Sequence, residues 1–584
     1  MRSVIRGLLL GLLFALPLGA QQVSPEVFTL DNGMKFLLLP RADQPNSIAA
    51  GWVAKVGSVN ERPGITGISH FFEHMMFKGT TTIGTENAAE DALLTQKQNG
   101  IRGKLRALHL GEQYARWKGG EIDDPWNPEF DTPEMTKLRA DLREVQDEQR
   151  EITKKNEFDQ IYTRLGGSGM NAFTSHDLTF YFINVPSNKL ELWCWMESDR
   201  LSDSVFREFF EERDVVHEER RMRTESTPTG IYQEQFDAMF WQSSPYSWPV
   251  IGWPTDLNSY TREQAQSYFD TYYAPNNLCG VVVGDFDLET AKTQITQYFA
   301  RLERRDAPPP VITLEQPQLA EKRMKVTCDC PPQVEVRYPS VPFGHRDEAA
   351  IEVMAEILNG RTGRLYKALV EDQKIATGAG VRQDSRKYGG AFSFSGECQG
   401  ESTPEMLESA WYEQLERMQE EQVDERELQK VKNQILASSF RRLETNFNLL
   451  LQLGYYEALG GWEYINHSPK EMAAVSSEDI IRVANAYFKP EQRSVAVYLR
   501  KEGSATPENA ELARFTPESR GMIEQVQKMI QTMPAEQLQQ MAAQIAAGRE
   551  GAPPPGAPAD IKEAFDYVLE KVTARLDEIN EGGK

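Results

Sequence analysis

The sequence predicts an α+β chain made of two similar units in tandem, and three observations carry that reading. "VFTLDNGMKFLLLP" near the start alternates apolar and polar residues around an Asp-Asn-Gly turn, as a β-hairpin does. Strand-like and helix-like stretches then occur in both halves, the second supplying strands in "RMKVTCDCPPQVEVRYPSVP", a Gly-ended helix in "DEAAIEVMAEILNG" and a strand in "GGAFSFSGECQG". Finally, "SSEDIIRVANAYFKPEQRSVAVYLR" in the second half matches, in kind and order, "YTREQAQSYFDTYYAPNNLCGVVVGDF" of the first. Each gives a capped helix, aromatic residues, a proline and an apolar strand, so one unit is used twice.

The elements follow in order. "MRSVIRGLLLGLLFALPLGA" places Arg2 and Arg6 ahead of an apolar run ending in small residues, the layout of a secretory signal peptide over residues 1–20. The expected location is a periplasm or the exterior. No cysteine follows the small residues, so a lipid anchor is not expected, and no later stretch is apolar enough to span a membrane. After the hairpin, "SIAAGWVAKVGS" continues as a strand, and "GITGISHFFEHMMFKGT" carries apolar residues spaced for a largely buried helix.

Residues 86–162 change character and become highly charged. Met135, Leu138, Leu142, Val145 and Ile152 form an apolar seam on one helix, with residues 101–117 as its antiparallel partner. This reads as a helical hairpin inserted into the first unit. "MNAFTSHDLTFYFINV" is strand-like, and two helices follow, the first with Ser187 as its N-cap candidate. The first unit is expected over residues 21–303, a Pro-rich linker over 304–318, the second unit over 319–502, and a helical, Pro-interrupted tail over 503–584.

Composition narrows the function classes. The formal net charge is −23 and no basic stripe is present, so nucleic acid is not an expected partner. Five cysteines, Cys194, Cys279, Cys328, Cys330 and Cys398, are an odd number over a long exported chain, and are expected as buried or free thiols. No pattern supports cysteine catalysis.

The chemistry lies in the buried helix. His70 and His74 are four apart, one turn along one helix face, so both imidazoles can reach one ion. Glu73 is offset from that line, placed to activate a water rather than to bind beside them. Two imidazoles, a carboxylate and one open position make a catalytic zinc site. The plainer reading is a pair of core histidines, and a helix-borne carboxylate elsewhere discriminates the two. In "EERDVVHEERRMR", Glu212 and Glu219 are seven apart and return to nearly the same angle. Val215 and Val216 between them mark that side as buried, Glu218 is expected in solvent, and His217 faces away. An acidic pair on a buried side needs a cation or a partner.

"GITGISHFFEHMMFKGT", "NAFTSHDLTFYF" and "ERDVVHEERRMR" together resemble the marker segments of the pitrilysin-type inverzincins, the family of insulysin and the mitochondrial processing peptidases. The resemblance runs in order over residues 25 to about 500. It implies two domains, each a mainly antiparallel sheet with helices packed on one face, and a zinc-dependent endopeptidase with one Zn2+ per chain. It implies His70, His74 and Glu219 as zinc ligands, Glu73 as general base and Glu212 as a supporting glutamate. It implies Asn171 and Ala172, on a sheet edge, as binders of extended peptide backbone. His74 and Glu219 are 145 positions apart (219 − 74), wider than in the family's shorter members, and the charged hairpin accounts for the excess. The family's Arg/Tyr substrate pair has no assigned position: Arg364 and Tyr366 are equally well ordinary helix-start residues, and a partner subunit is the alternative supplier. Chain size in the family implies a homodimer, or a heterodimer with a non-catalytic paralogue. The competing function is a non-hydrolytic peptide-binding or assembly subunit with the same fold.

Overall fold

The computed structural model describes residues 22–501, 512, 515–550 and 560–582, so the expected signal peptide lies outside the described residues. Residues up to Arg500 form one compact unit and Lys501–Lys584 a second.

Among the described residues of the first unit, eleven strands make two sheets. The first sheet joins β1 (Glu26–Thr29), β2 (Lys35–Pro40), β3 (Ser47–Ala54), β4 (Ser168–Thr174), β5 (Thr179–Pro186) and β6 (Leu278–Gly284), in the order β1-β2-β6-β3-β5-β4. The second joins β7 (Lys322–Cys328), β8 (Gln333–Ser340), β9 (Ala376–Ser385), β10 (Gly390–Cys398) and β11 (Ser494–Arg500), in the order β7-β11-β8-β10-β9. Without β1 the two orders correspond strand for strand. Each sheet is antiparallel except for one parallel pair, β2 with β6 and β7 with β11, at matching places. The duplication read from the sequence is thus a duplication of topology.

The helices that position the site are α1 (Ile68–Met75), α2 (Ala88–Leu108), α3 (Pro133–Ile152), α4 (Glu157–Arg164), α5 (Leu190–Ser202) and α6 (Phe209–Arg220). One face of the first sheet, through Phe36, Leu38, Ile48, Trp52 and Tyr181, packs on α1, α5 and α6. The opposite face meets α7 (Asn446–Leu459) from the second half, through Leu449, Leu450 and Leu453 against Ala49, Phe180 and Val281. Burial on both sides explains why β6 reads "LCGVVVG" rather than alternating: all seven residues are buried. Helix α7 comes close because Gly454 has no side chain, and a Cβ there would lie 2.4 Å from the Phe180 ring.

Helices α2 and α3 form the inserted hairpin, but its seam differs from the expected one. Met135, Leu138 and Leu142 are buried, whereas Val145 and Ile152 are only partly so and Gln146 and Gln149 take the inner positions. The reason is a polar core at the hairpin's base. Gln149 donates to Asp91 (2.6 Å) and accepts from Gln98 (2.8 Å), and Arg207 donates to Asp91 (2.9 Å). Ser187 is not the cap of α5: the helix starts at Leu190 after a short 3-10 turn, and the Ser187 hydroxyl points to Asp285.

Cys328 and Cys330 form a disulfide, contrary to the expectation of unpaired thiols. Strand β7 stops at Cys328 and the chain turns at Asp329, bringing the two Cα atoms to 5.3 Å, closer than two steps of extended strand. Cys194, Cys279 and Cys398 are buried thiols, as expected.

In the second unit, helices Pro517–Thr532, Ala535–Glu550 and Ile561–Gly582 share an apolar core that includes Ile523, Leu538, Tyr567 and Val572.

Candidate metal centre

Helix α1 is set rigidly before it carries any chemistry. Ile68, Phe71, Phe72 and Met75 are fully buried on its inner side. Its start is fixed by Gly67, whose φ of +87° suits glycine and where a Cβ would lie 2.4 Å from the Ile251 carbonyl oxygen. The buried Glu61 carboxylate accepts from the Gly67 and Ser69 amides at 2.7 and 2.8 Å, capping two N–H groups that the helix leaves unpaired. Burial raises the Glu61 carboxyl to about 8.

Helix α6 lies beside α1, with Phe71 edge-on to Phe209 at 4.8 Å. Its far end is held by Arg220, which grips Glu234 with two hydrogen bonds (2.6 and 2.7 Å) and donates to the Gly252 carbonyl. Phe209, Phe210 and Val216 form its buried side. Val215 does not: it is 50 % exposed, so the expectation that both valines mark the inner face holds only for Val216. Glu212 is buried and Glu219 half-buried on that side, while Glu218 is exposed and pairs with Arg221. His217 sits toward Arg213 and Asn258, away from both glutamates.

The two helices bring His70, His74 and Glu219 together, one ligand atom from each within 4.8 Å of the others. Glu219 Oε2 lies 3.5 Å from His70 Nε2 and 3.3 Å from His74 Nε2. Glu212 is not part of that trio. Its Oε1 stands 2.7 Å from His74 Nδ1, and the Nδ1–H donated there leaves the Nε2 lone pair facing Glu219. Glu212 is held in turn by Lys78, at 2.5 Å.

An imidazole lone pair facing a carboxylate oxygen is two acceptors face to face, and the arrangement is favourable only with positive charge between them. A proton supplies that charge in the metal-free protein. Burial pulls His74 down, but the hydrogen bonds to Glu212 and Glu219 raise it to about 9. His70 and His74 together hold Glu219 far below the usual carboxylate range. Burial pushes Glu212 up, yet His74 and Lys78 leave it lowered. The donor set therefore fits a divalent ion that accepts two imidazole nitrogens and one carboxylate oxygen, the preference of zinc.

Glu73 lies outside this trio, and its Oε2 accepts from the Thr174 hydroxyl at 2.6 Å. Thr174 was not singled out in the sequence, although it ends the quoted "NAFT" run. Asn171 and Ala172 lie on β4, the edge strand, paired with Phe182 and Tyr181 of β5. Ala172 points into the core, and the exposed Asn171 lines a cavity of about 270 Å³ that also reaches Glu73 and His74. Arg364 is not free for a substrate: it binds Glu427 through two hydrogen bonds, 2.7 and 3.2 Å.

Comparison with known proteins extends the picture. The profile described as "Insulinase (Peptidase family M16)" matches residues 37–98, and "Peptidase M16 inactive domain" matches 259–435. A protein named "Zinc protease PqqE" from Helicobacter pylori is 25% identical over 482 residues, 81% of this chain and 92% of that one. The "Uncharacterized zinc protease YmxG" of Bacillus subtilis is 22% identical, over 79% of this chain and 95% of that one. Among solved structures, a protease from Helicobacter pylori superposes with a TM-score of 0.67 at 24% identity, covering 82% of this chain and all of that one (100%). Pitrilysin superposes at 0.58 with 14% identity, covering 82% of this chain and 46% of that one. One profile falls on the half that carries His70, Glu73 and His74, the other mainly on the half that repeats its topology, and the relatives that match along most of the length are named zinc proteases: in both halves the chain resembles the insulinase family of peptidases, M16.

Proposed function

We propose that the chain is an exported zinc endopeptidase acting on short or unfolded peptides. The observation that carries this is the convergence of His70, His74 and Glu219 beside a glutamate that takes no part in the trio. His70, His74 and Glu219 would hold zinc, which when bound acidifies a water and polarises a carbonyl. Glu73 accepts the proton of the attacking water and returns it to the leaving amine. Thr174 keeps the Glu73 carboxylate oriented toward the end of β4. The free edge of β4 supports binding of an extended peptide as an added strand, with Asn171 and Ala172 at the point of contact, which favours substrates without tertiary structure. Glu212 sets the His74 tautomer and is a positioning residue. Residues 1–20 support export to a periplasm or the exterior. A homodimer, or a heterodimer with a non-catalytic paralogue, is the proposed assembly.

The match to an inactive domain does not favour the non-hydrolytic reading, because it covers residues 259–435 and none of the site residues. Bound zinc is measured on the purified protein and on two single variants. Glu219→Ala is expected to lose the metal, whereas Glu218→Ala, at an exposed position, keeps one zinc per chain. Equal zinc in both would overturn the ligand assignment. Glu212→Gln is expected to weaken zinc about 10- to 100-fold in a competition titration with a chromophoric chelator, since the imidazole loses its orienting carboxylate. An unchanged affinity would mean that Glu212 only packs.

A further inference from the structure

The inserted hairpin returns to the body of the chain beside the site, and it is closed at a neck. Thr85 and Thr153 form an antiparallel bridge, flanked by Glu86 N–H to the Ile152 carbonyl (2.8 Å) and Lys154 N–H to the Gly84 carbonyl (3.1 Å). Glu157 then accepts from the Gly84 amide at 2.6 Å, after a left-handed turn at Asn156 with φ of 55°. Helix α4 runs from this turn directly to the edge strand β4. The neck is thus pinned on one side by backbone pairing and leads on the other into the strand that carries Asn171.

The neck forms a wall of the 270 Å³ cavity that opens on Glu73, His74 and Asn171. Thr153, Lys154, Lys155, Asn156 and Glu157 line it together with Phe77 and Lys78. A space of that size suits one side chain rather than a folded segment. Its lining carries four carboxylates, Glu73, Glu157, Glu208 and Glu212, and three lysines, and all but Glu73, which accepts from Thr174, and Lys155 have an ion-pair partner. Lys78 is taken by Glu212 (2.5 Å) and Glu208 (3.3 Å), and Glu157 by the Gly84 amide and, loosely, Lys154 (3.7 Å). Among the described residues, no carboxylate lies within ion-pair distance of the exposed Lys155. The wall contributed by the insertion therefore leaves one cation uncompensated, with Lys154 half-compensated next to it.

We infer that the neck of the hairpin is a specificity element, its Lys155 and Lys154 selecting an acidic side chain next to the scissile bond. The inference rests on the peptidase reading above, and its test separates the two. Quenched peptides of one sequence, differing only in Glu, Gln or Lys on either side of the cut, are compared at low salt. Cleavage is followed with the wild-type zinc protein, and binding with Glu73→Gln, which needs no hydrolysis. At one of the two positions the Glu peptide is expected to exceed the Lys peptide roughly two- to fivefold in kcat/KM and in affinity, the scale of exposed charge pairs. Lys155→Glu combined with Lys154→Gln is expected to reverse that ratio, and added salt to flatten it. Lys137→Glu, an exposed position on α3 far along the hairpin, is expected to leave the ratio unmoved. A ratio that ignores the neck variants, or that moves equally with Lys137→Glu, would overturn the inference. Binding selectivity that follows the neck variants with no cleavage of any peptide would support it while sinking the peptidase reading.

Discussion

Glu73→Gln is expected to lower kcat/KM on a quenched peptide by about 10²- to 10⁴-fold, the usual contribution of a general base, with zinc content unchanged. In free energy that is about 3–5 kcal/mol of lost transition-state stabilisation. The substitution is nearly isosteric, and the amide oxygen can still accept from the Thr174 hydroxyl, so the local geometry has no reason to move. What disappears is the ability to take a proton from water. Because Glu73 is outside the His70–His74–Glu219 trio, the metal count separates chemistry from structure. Loss of zinc together with activity would make Glu73 a structural residue. Cleavage at the wild-type rate would remove the proposed mechanism altogether. Thr174→Val is the milder companion: the base remains, but its carboxylate loses the hydroxyl that points it at the edge strand.

How much of this site was legible beforehand depended on how local each signal is. His70, Glu73 and His74 lie within one turn of one helix, and helical periodicity alone relates them. Glu219 was reachable because seven residues return to the same helix face, yet the supporting argument was half wrong. Val215 lies outside, and the burial of that face comes from Phe209, Val216 and the Arg220–Glu234 clamp. Thr174 gave no signal of its own: nothing in spacing says that a hydroxyl 101 residues from Glu73 will meet it. The fold was readable because its repeat is a repeat of element order, which composition preserves even where residues diverge. The hairpin misled for a physical reason. In a highly charged stretch each charge reads as solvated, and only the tertiary structure shows that Asp91, Gln98 and Gln149 turn inward to meet Arg207 and Arg262. The disulfide escaped for a related one, since a strand that ends one residue early changes which sulfurs can meet.

Arg207→Met is expected to destabilise the base of the hairpin by about 3–5 kcal/mol, the usual cost of breaking a buried ion pair by removing one partner. Arg207 is 1% exposed and spends its guanidinium on Asp91 and on the carbonyls of Lys78, Thr80 and Ile83. Removing it strands a buried carboxylate and leaves carbonyls without donors. Methionine matches the stem in size, so packing changes little and the loss is mainly electrostatic. A single melting temperature is a poor gauge in a chain with several cores, because two-state behaviour fails there. Hydrogen exchange over residues 88–152 is the sharper measurement: protection there falls, while β3 and β6 keep theirs. Adding Asp91→Leu to Arg207→Met is expected to restore part of the protection, because the unpaired charge is then gone. Loss of less than about 1 kcal/mol in the single variant, or no recovery in the double, would mean that the pair is not what holds the insertion. The consequence also reaches the site. The loop that Arg207 grips begins at Lys78, and Lys78 holds Glu212, which holds His74. A weakened zinc affinity in Arg207→Met, without any change in the ligands themselves, is the outcome that this chain of contacts requires.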